Sequence, residues 1–162
     1  MREDQVTTPE GKPGIYGVVE TAIATGVVAL TEQQEVYLVG QYRYATETYS
    51  WEIIEGGSKS GENAIDAIRR ELQEEAGLTA QRLFQLGAAF HTTNCISSET
   101  AVLYLAFGLG STSASPDGTE VLQVQKMPLS DAVAMVHRGE ITDSLSIVGL
   151  LRAQRFFERG GF

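Results

Sequence analysis

The chain has 162 residues, 43% of them hydrophobic and 20% charged, with 12 Lys and Arg against 21 Asp and Glu and a formal net charge of −9. This is one domain's worth of sequence over 1–162, and the balance excludes a fibrous chain, a wholly disordered one and an integral membrane protein. The acidic excess argues against nucleic acid as a partner, because binding it needs a positive field that displaces counterions.

Residues 1–14 are polar and carry Pro9, Gly11, Pro13 and Gly14, which reads as an arm or loop. The stretch 15–19 reads as a short strand. Two apolar, β-branched runs follow at 22–30 and 36–44, and the polar Thr31-Glu32-Gln33-Gln34-Glu35 between them predicts a hairpin. Another extended piece, 50–54, stops at Gly56-Gly57.

The best helix runs from 62 to 76. Ile65, Ile68, Leu72 and Ala76 recur at steps of three and four, giving one buried stripe, and Gly77 suits the residue after the helix end. Strands are predicted at 83–90 and 100–107, then a Ser-, Thr- and Gly-rich loop at 108–118, then a last strand at 121–127. Two helices close the chain, at about 131–137 behind a Ser130 cap and at about 144–158 behind an Asp143 cap. Strands, helix, strands and two helices make a mixed α+β domain rather than an alternating βαβ one.

No run approaches the roughly 18 apolar residues of a membrane span, and no leader-like apolar core follows Met1. The lone Cys95 can make no internal disulfide. The expected setting is a reducing cytoplasm, without a membrane partner.

The main helix carries an electrostatic oddity. At about 100° per residue, Glu75 lies about 40° to one side of Glu71 and Glu74 about 60° to the other. Three carboxylates share one face in the last turns, where like charges repel and the helix dipole disfavours anions. Ala64 and Ala67 leave space above them. A solvated acidic face is one reading. The other is a set of hard oxygen ligands for Mg²⁺ or Mn²⁺.

The wider spacing bears on that choice. Gly56, five residues, Glu62, seven residues, and then Arg70-Glu71-Leu72-Gln73-Glu74-Glu75-Ala76-Gly77-Leu78 fill 56–78. The run resembles a complete signature box of the Nudix hydrolases. The resemblance implies an α/β/α sandwich with a mixed β-sheet and a loop–helix–loop catalytic motif. It implies hydrolysis of a pyrophosphate in a nucleoside diphosphate joined to another group, with divalent metal, usually Mg²⁺, on Glu71, Glu74 and Glu75. A backbone carbonyl near Glu55 or Gly56 would add a ligand, Glu62 would support, and Arg70 would hold a box carboxylate. Metal bridging also explains how so acidic a chain could take a diphosphate.

Outside the box, Gln41-Tyr42-Arg43-Tyr44 and Trp51-Glu52-Ile53-Ile54-Glu55-Gly56 are similar to the branch that hydrolyses ADP-ribose and nucleotide sugars. Ile54 and Glu55 depart from its Pro-Ala pair. By this similarity Arg43 and Glu52 contact substrate. Arg43 could equally pair with a nearby acid, since a guanidinium forks onto carboxylate as well as phosphate. Trp51 and Tyr42 either stack on a base or pack at the core's rim. The Ser97-Ser98-Glu99 step is also similar to the branch and makes Glu99 a candidate general base or extra ligand, against a solvent-facing glutamate. Prolines common before that step are replaced by Thr92, Thr93 and Asn94.

Three functions are carried forward. The first is a metal-dependent pyrophosphatase of ADP-ribose or a nucleotide sugar. The second is the same chemistry on a nucleoside triphosphate or dinucleoside polyphosphate. The third is a Nudix-fold nucleotide-binding regulatory module without turnover. Related ADP-ribose hydrolases often dimerise, with N-terminal strands contributing to the partner, and a homodimer is what that resemblance alone implies.

Overall fold

The computed structural model describes residues 1–115 and 121–161. Ten strands and three helices are assigned among them: β1 (Arg2–Thr7), β2 (Pro13–Val18), β3 (Ala24–Ala29), β4 (Glu35–Arg43), β5 (Thr48–Glu52), β6 (Ile54–Gly57), α1 (Ala64–Ala76), β7 (Leu78–Gln85), β8 (Phe90–His91), β9 (Thr100–Ser111), β10 (Gln123–Pro128), α2 (Leu129–His137) and α3 (Ser144–Glu158).

One sheet runs β6-β3-β9-β7, with β8 on β9, and a second runs β10-β4-β5. β3 and β9 are parallel and the other pairs antiparallel. β3 is buried on both faces, as suits a mostly apolar strand flanked by helices on either side. Val27 and Ala29 enter one core with Ile68 and Leu72 of α1, whereas Val28 enters the other with Leu145 and Leu150 of α3. Tyr104 and Leu105 of β9 divide the same way. α1 therefore covers one face and α3, with α2 beside it, the other. This is the mixed-sheet sandwich expected.

Several local expectations are corrected. Residues 1–14 are not a loop: β1 and β2 pair from Arg2 with Val18 to Thr7 with Pro13, forming an N-terminal hairpin. The runs before and after Thr31 do not form one hairpin either. β3 and β4 belong to different sheets, joined only by a bridge from Leu30 to Val36. The polar turn does reverse the chain, with the Thr31 amide donating to the Glu35 carbonyl at 2.9 Å, but each strand takes its ladder from other partners.

α1 starts at Ala64 because the Asn63 carbonyl oxygen Oδ1 accepts from the Asp66 amide at 3.0 Å. It ends where Gly77 turns left-handed at φ +62°. Ile65, expected in the buried stripe, is exposed. Ser130 does not cap α2; the helix begins after Pro128 with no side-chain cap, and Asp143 caps α3 as expected. β9 extends through Ser111, into the predicted 108–118 loop, of which 116–118 lie outside the described residues.

The seam between the sheets matters most for the site. Glu52 ends β5 in one sheet and Ile54 opens β6 in the other. Ile53 between them is fully buried, and its amide donates to Ser146 Oγ of α3 at 2.9 Å. No helix among the described residues is long and apolar enough to cross a membrane.

Candidate active site

Thr25 of β3 lies opposite Gly56 of β6 and its hydroxyl donates to the Gly56 carbonyl at 3.0 Å. The chain then turns through 58–63 into α1. Lys59 donates its amide to Glu62 Oε2 at 2.8 Å, tying the loop ahead of the helix. Arg70 spans loop and helix. It donates to both oxygens of Glu62 at 3.1 and 3.0 Å, to the Gly57 carbonyl at 2.9 Å, to Glu71 at 2.6 Å and to Glu74 at 2.8 Å. One planar guanidinium thus fixes three acids, a geometry an ammonium cannot reproduce.

These bonds hold the Glu62 carboxyl down to about 2, with the Arg70 contact the larger cause and the Lys59 amide the second. A carboxyl depressed in the folded state stabilises the fold above its ordinary value of 4.5, and the benefit disappears as pH falls through about 2. Glu62→Gln is therefore expected to be less stable than the native chain at neutral pH, with the gap closing across that window. Thermal melts from pH 7 to 2 measure it; a gap independent of pH would rule this out.

The box faces a cavity of about 510 Å³ whose walls include Arg43, Glu55, Glu71, Glu75, Glu99 and Asp143. Glu71 and Glu75 come from α1, and Glu75 Oε2 accepts the Glu55 amide at 3.2 Å. A Cβ on Gly56 would stand 2.0 Å from Glu71 Oε1, so the backbone there lies directly against that carboxylate. Arg43, from the end of β4, forks onto Glu52 and reaches Glu55 Oε1 at 3.1 Å. The ion pair with Glu52, which forks onto the guanidinium, raises the Arg43 pKa further. Glu55 Oε2 is buried without a hydrogen-bond partner among the described residues. Burial, then repulsion from Asp143 and Glu52, pushes the Glu55 carboxyl well above the usual carboxylate range, with Arg43 opposing.

The expected site residues divide accordingly. Arg43, Glu55, Gly56, Glu71, Glu75 and Glu99 line one cavity. Glu74 lies to the side, a third exposed and paired with Arg70. Glu52 does not offer itself to a substrate: it is 2% exposed and engaged by Arg43. Trp51 does not line the cavity; it packs on the α3-side core and stands edge-on to Tyr49 at 5.7 Å. Tyr42 is exposed opposite Tyr49. Asp143 is a cavity residue that the sequence explained fully as a helix cap. Its closeness to Glu55 and Arg43 is made by the fold and cannot be read from the local sequence.

Among the described residues, no three acidic, histidine or cysteine side chains are gathered tightly enough to cage an ion as they stand. Arg70 draws Glu71 and Glu74 toward itself. The donor chemistry nevertheless fits a hard dication: the candidates are all oxygens, two on carboxylates lining the cavity, with the partnerless Glu55 Oε2 beside them.

Residues 20–145 match the model of the NUDIX domain. The chain therefore belongs to the Nudix family, and it is a Nudix hydrolase. It is 33% identical over 155 residues to an ADP-ribose pyrophosphatase of Mycobacterium tuberculosis, covering 93% of this chain and 74% of that protein. An ADP-ribose pyrophosphatase of Bacillus subtilis is 30% identical over 143 residues, covering 87% and 77%. The fold superposes on the crystal structure of an ADP compounds hydrolase with a TM-score of 0.84 at 20% identity, over 100% of this chain and 95% of the other.

Proposed function

We propose that this chain hydrolyses the pyrophosphate linkage of a nucleoside diphosphate derivative, ADP-ribose or a nucleotide sugar, with Mg²⁺ bound and Mn²⁺ able to replace it. The observation that carries this is the meeting of Glu71 and Glu75 with Arg43 across one cavity. Similarity to two ADP-ribose pyrophosphatases supports the substrate class.

The chain's own groups divide the work. Glu71 and Glu75 would hold the metal, with the Gly56 carbonyl beside them and Glu74 reaching in from Arg70. Bound there, the metal would polarise phosphoryl oxygens and acidify water. Arg43, held by Glu52, offers its remaining donor capacity to a phosphate oxygen. Glu99 stands as the base for the attacking water.

A screen of nucleoside diphosphate derivatives with Mg²⁺, with products identified by mass, tests the proposal. ADP-ribose is expected to give two phosphorylated products, and thorough chelation to abolish the reaction until Mg²⁺ or Mn²⁺ is restored. Turnover that survives chelation would refute the metal requirement. Cleavage confined to triphosphates would refute the substrate class. The exposed Ile15 and Tyr16 on the N-terminal hairpin support a homodimer. A solution mass of 17.5 kDa at every concentration would exclude it.

A further inference from the structure

The loop 92–99 carries Glu99 into the cavity wall. Its backbone is pinned from outside. The Val19 amide donates to the Ile96 carbonyl at 2.8 Å, the Ser98 amide to the Val19 carbonyl at 3.0 Å, and the Tyr16 hydroxyl of the N-terminal hairpin to the Cys95 carbonyl at 2.6 Å. At the loop's base β8 pairs with β9, Phe90 facing Ala101 and His91 facing Thr100.

The next facing pair is Thr92 and Glu99. The Thr92 amide donates to the Glu99 carbonyl at 3.4 Å, a weak continuation of the ladder. The side chains do more: Thr92 Oγ1 donates to Glu99 Oε2 at 2.6 Å. A short bond from a hydroxyl to a carboxylate is among the stronger hydrogen bonds proteins make. Threonine is stiff at χ1, so the donor is itself held in place. Glutamate is otherwise a side chain of many rotamers, and among the described residues no other hydrogen bond holds its carboxylate. Proline at position 92 could supply neither the amide nor the hydroxyl.

We propose that Thr92 is a positioning residue for Glu99, its hydroxyl taking one carboxylate oxygen so that the other is presented to the cavity. This rests on the reading of Glu99 as the base. The backbone contacts from Val19 and Tyr16 set the loop's shape independently, so the hydroxyl can be removed without collapsing the loop.

The test uses steady-state kinetics on ADP-ribose with Mg²⁺ for Thr92→Val, Thr92→Ser, Glu99→Gln and the Thr92→Val/Glu99→Gln double variant, with a melting temperature for each. Thr92→Val is expected to lower kcat about 5–20-fold with KM and melting temperature nearly unchanged. Thr92→Ser should recover most of the rate. The double variant should be no slower than Glu99→Gln alone, because a residue acting only through Glu99 has nothing left to position. A slow Glu99→Gln with a native-rate Thr92→Val overturns the proposal and leaves the role of Glu99 standing. Losses that multiply in the double variant also overturn it. A native-rate Glu99→Gln removes the reading of Glu99 itself, and the proposal with it.

Discussion

Glu75→Gln should cut turnover by about 10–100-fold while the chain stays folded. Glu75 is 6% exposed on α1, lines the cavity, and accepts the Glu55 amide through Oε2. Glutamine matches its volume and keeps a carbonyl oxygen for that amide, so packing and the backbone bond survive. What disappears is one formal charge from the oxygens facing the cavity, and hard dications depend on that charge. Rates measured against rising Mg²⁺ should show the variant needing more metal, beside an unchanged thermal melt. Full activity at native metal concentrations would show that Glu75 has no part in holding the ion.

Arg70→Lys should lower both activity and stability, although it conserves charge. The guanidinium makes five hydrogen bonds, to Glu62, Glu71, Glu74 and the Gly57 carbonyl, from a side chain only 19% exposed. An ammonium is a point charge with three donors and cannot fork onto Glu62 while reaching Glu71 and Glu74. At least one carboxylate would be left half-buried without its partner. Removing one partner of a fully buried pair costs about 3–5 kcal/mol. The cost here is set lower, near 2 kcal/mol, because a charge remains and Glu74 is partly in water. Activity should fall about 10–100-fold, as for other residues that orient ligands. Urea unfolding and initial rates read the two effects. A lysine variant that matches the native chain in both would reduce Arg70 to a surface charge.

Much of the site was legible because its chemistry is local in sequence. Glu71, Glu74 and Glu75 share a helix with Arg70, so helix geometry alone gathers the carboxylates, whereas Gly56 and Glu62 are tied to them by the resemblance to the Nudix box. The split between Glu71 and Glu75 on the cavity and Glu74 on its flank was not legible, because it turns on where Arg70 points. The pairing of Glu52 was hidden for a related reason: strand alternation shows which face a residue takes, but not that Arg43 will cover it. Asp143 was hidden by having a sufficient local explanation, since a perfect cap asks for no other role.

The fold was readable as a class and less so as a pairing scheme. Apolar runs located most strands, but the one expected at 83–90 lies at Leu78–Gln85, β1 reads as loop, and 24–29 and 35–43 look like consecutive partners and join different sheets. The information that separates them is long-range: β3 is claimed by β6 and β9, and β4 by β5 and β10. The N-terminal hairpin was missed because Pro9, Gly11, Pro13 and Gly14 suggest irregular chain, although Pro13 is the first residue of β2 and faces Thr7 beside the turn, where a missing amide does little harm.

Ile53 alone separates Glu52 in one sheet from Ile54 in the other, while Arg43 grips acids on both sides of that single residue. Any slippage of one layer over its neighbour must drag the guanidinium off at least one carboxylate before the hydrophobic layers part. Loss of catalytic competence on warming should then coincide with the first loosening of the sandwich, making the working lifetime and the structural lifetime of this protein a single quantity.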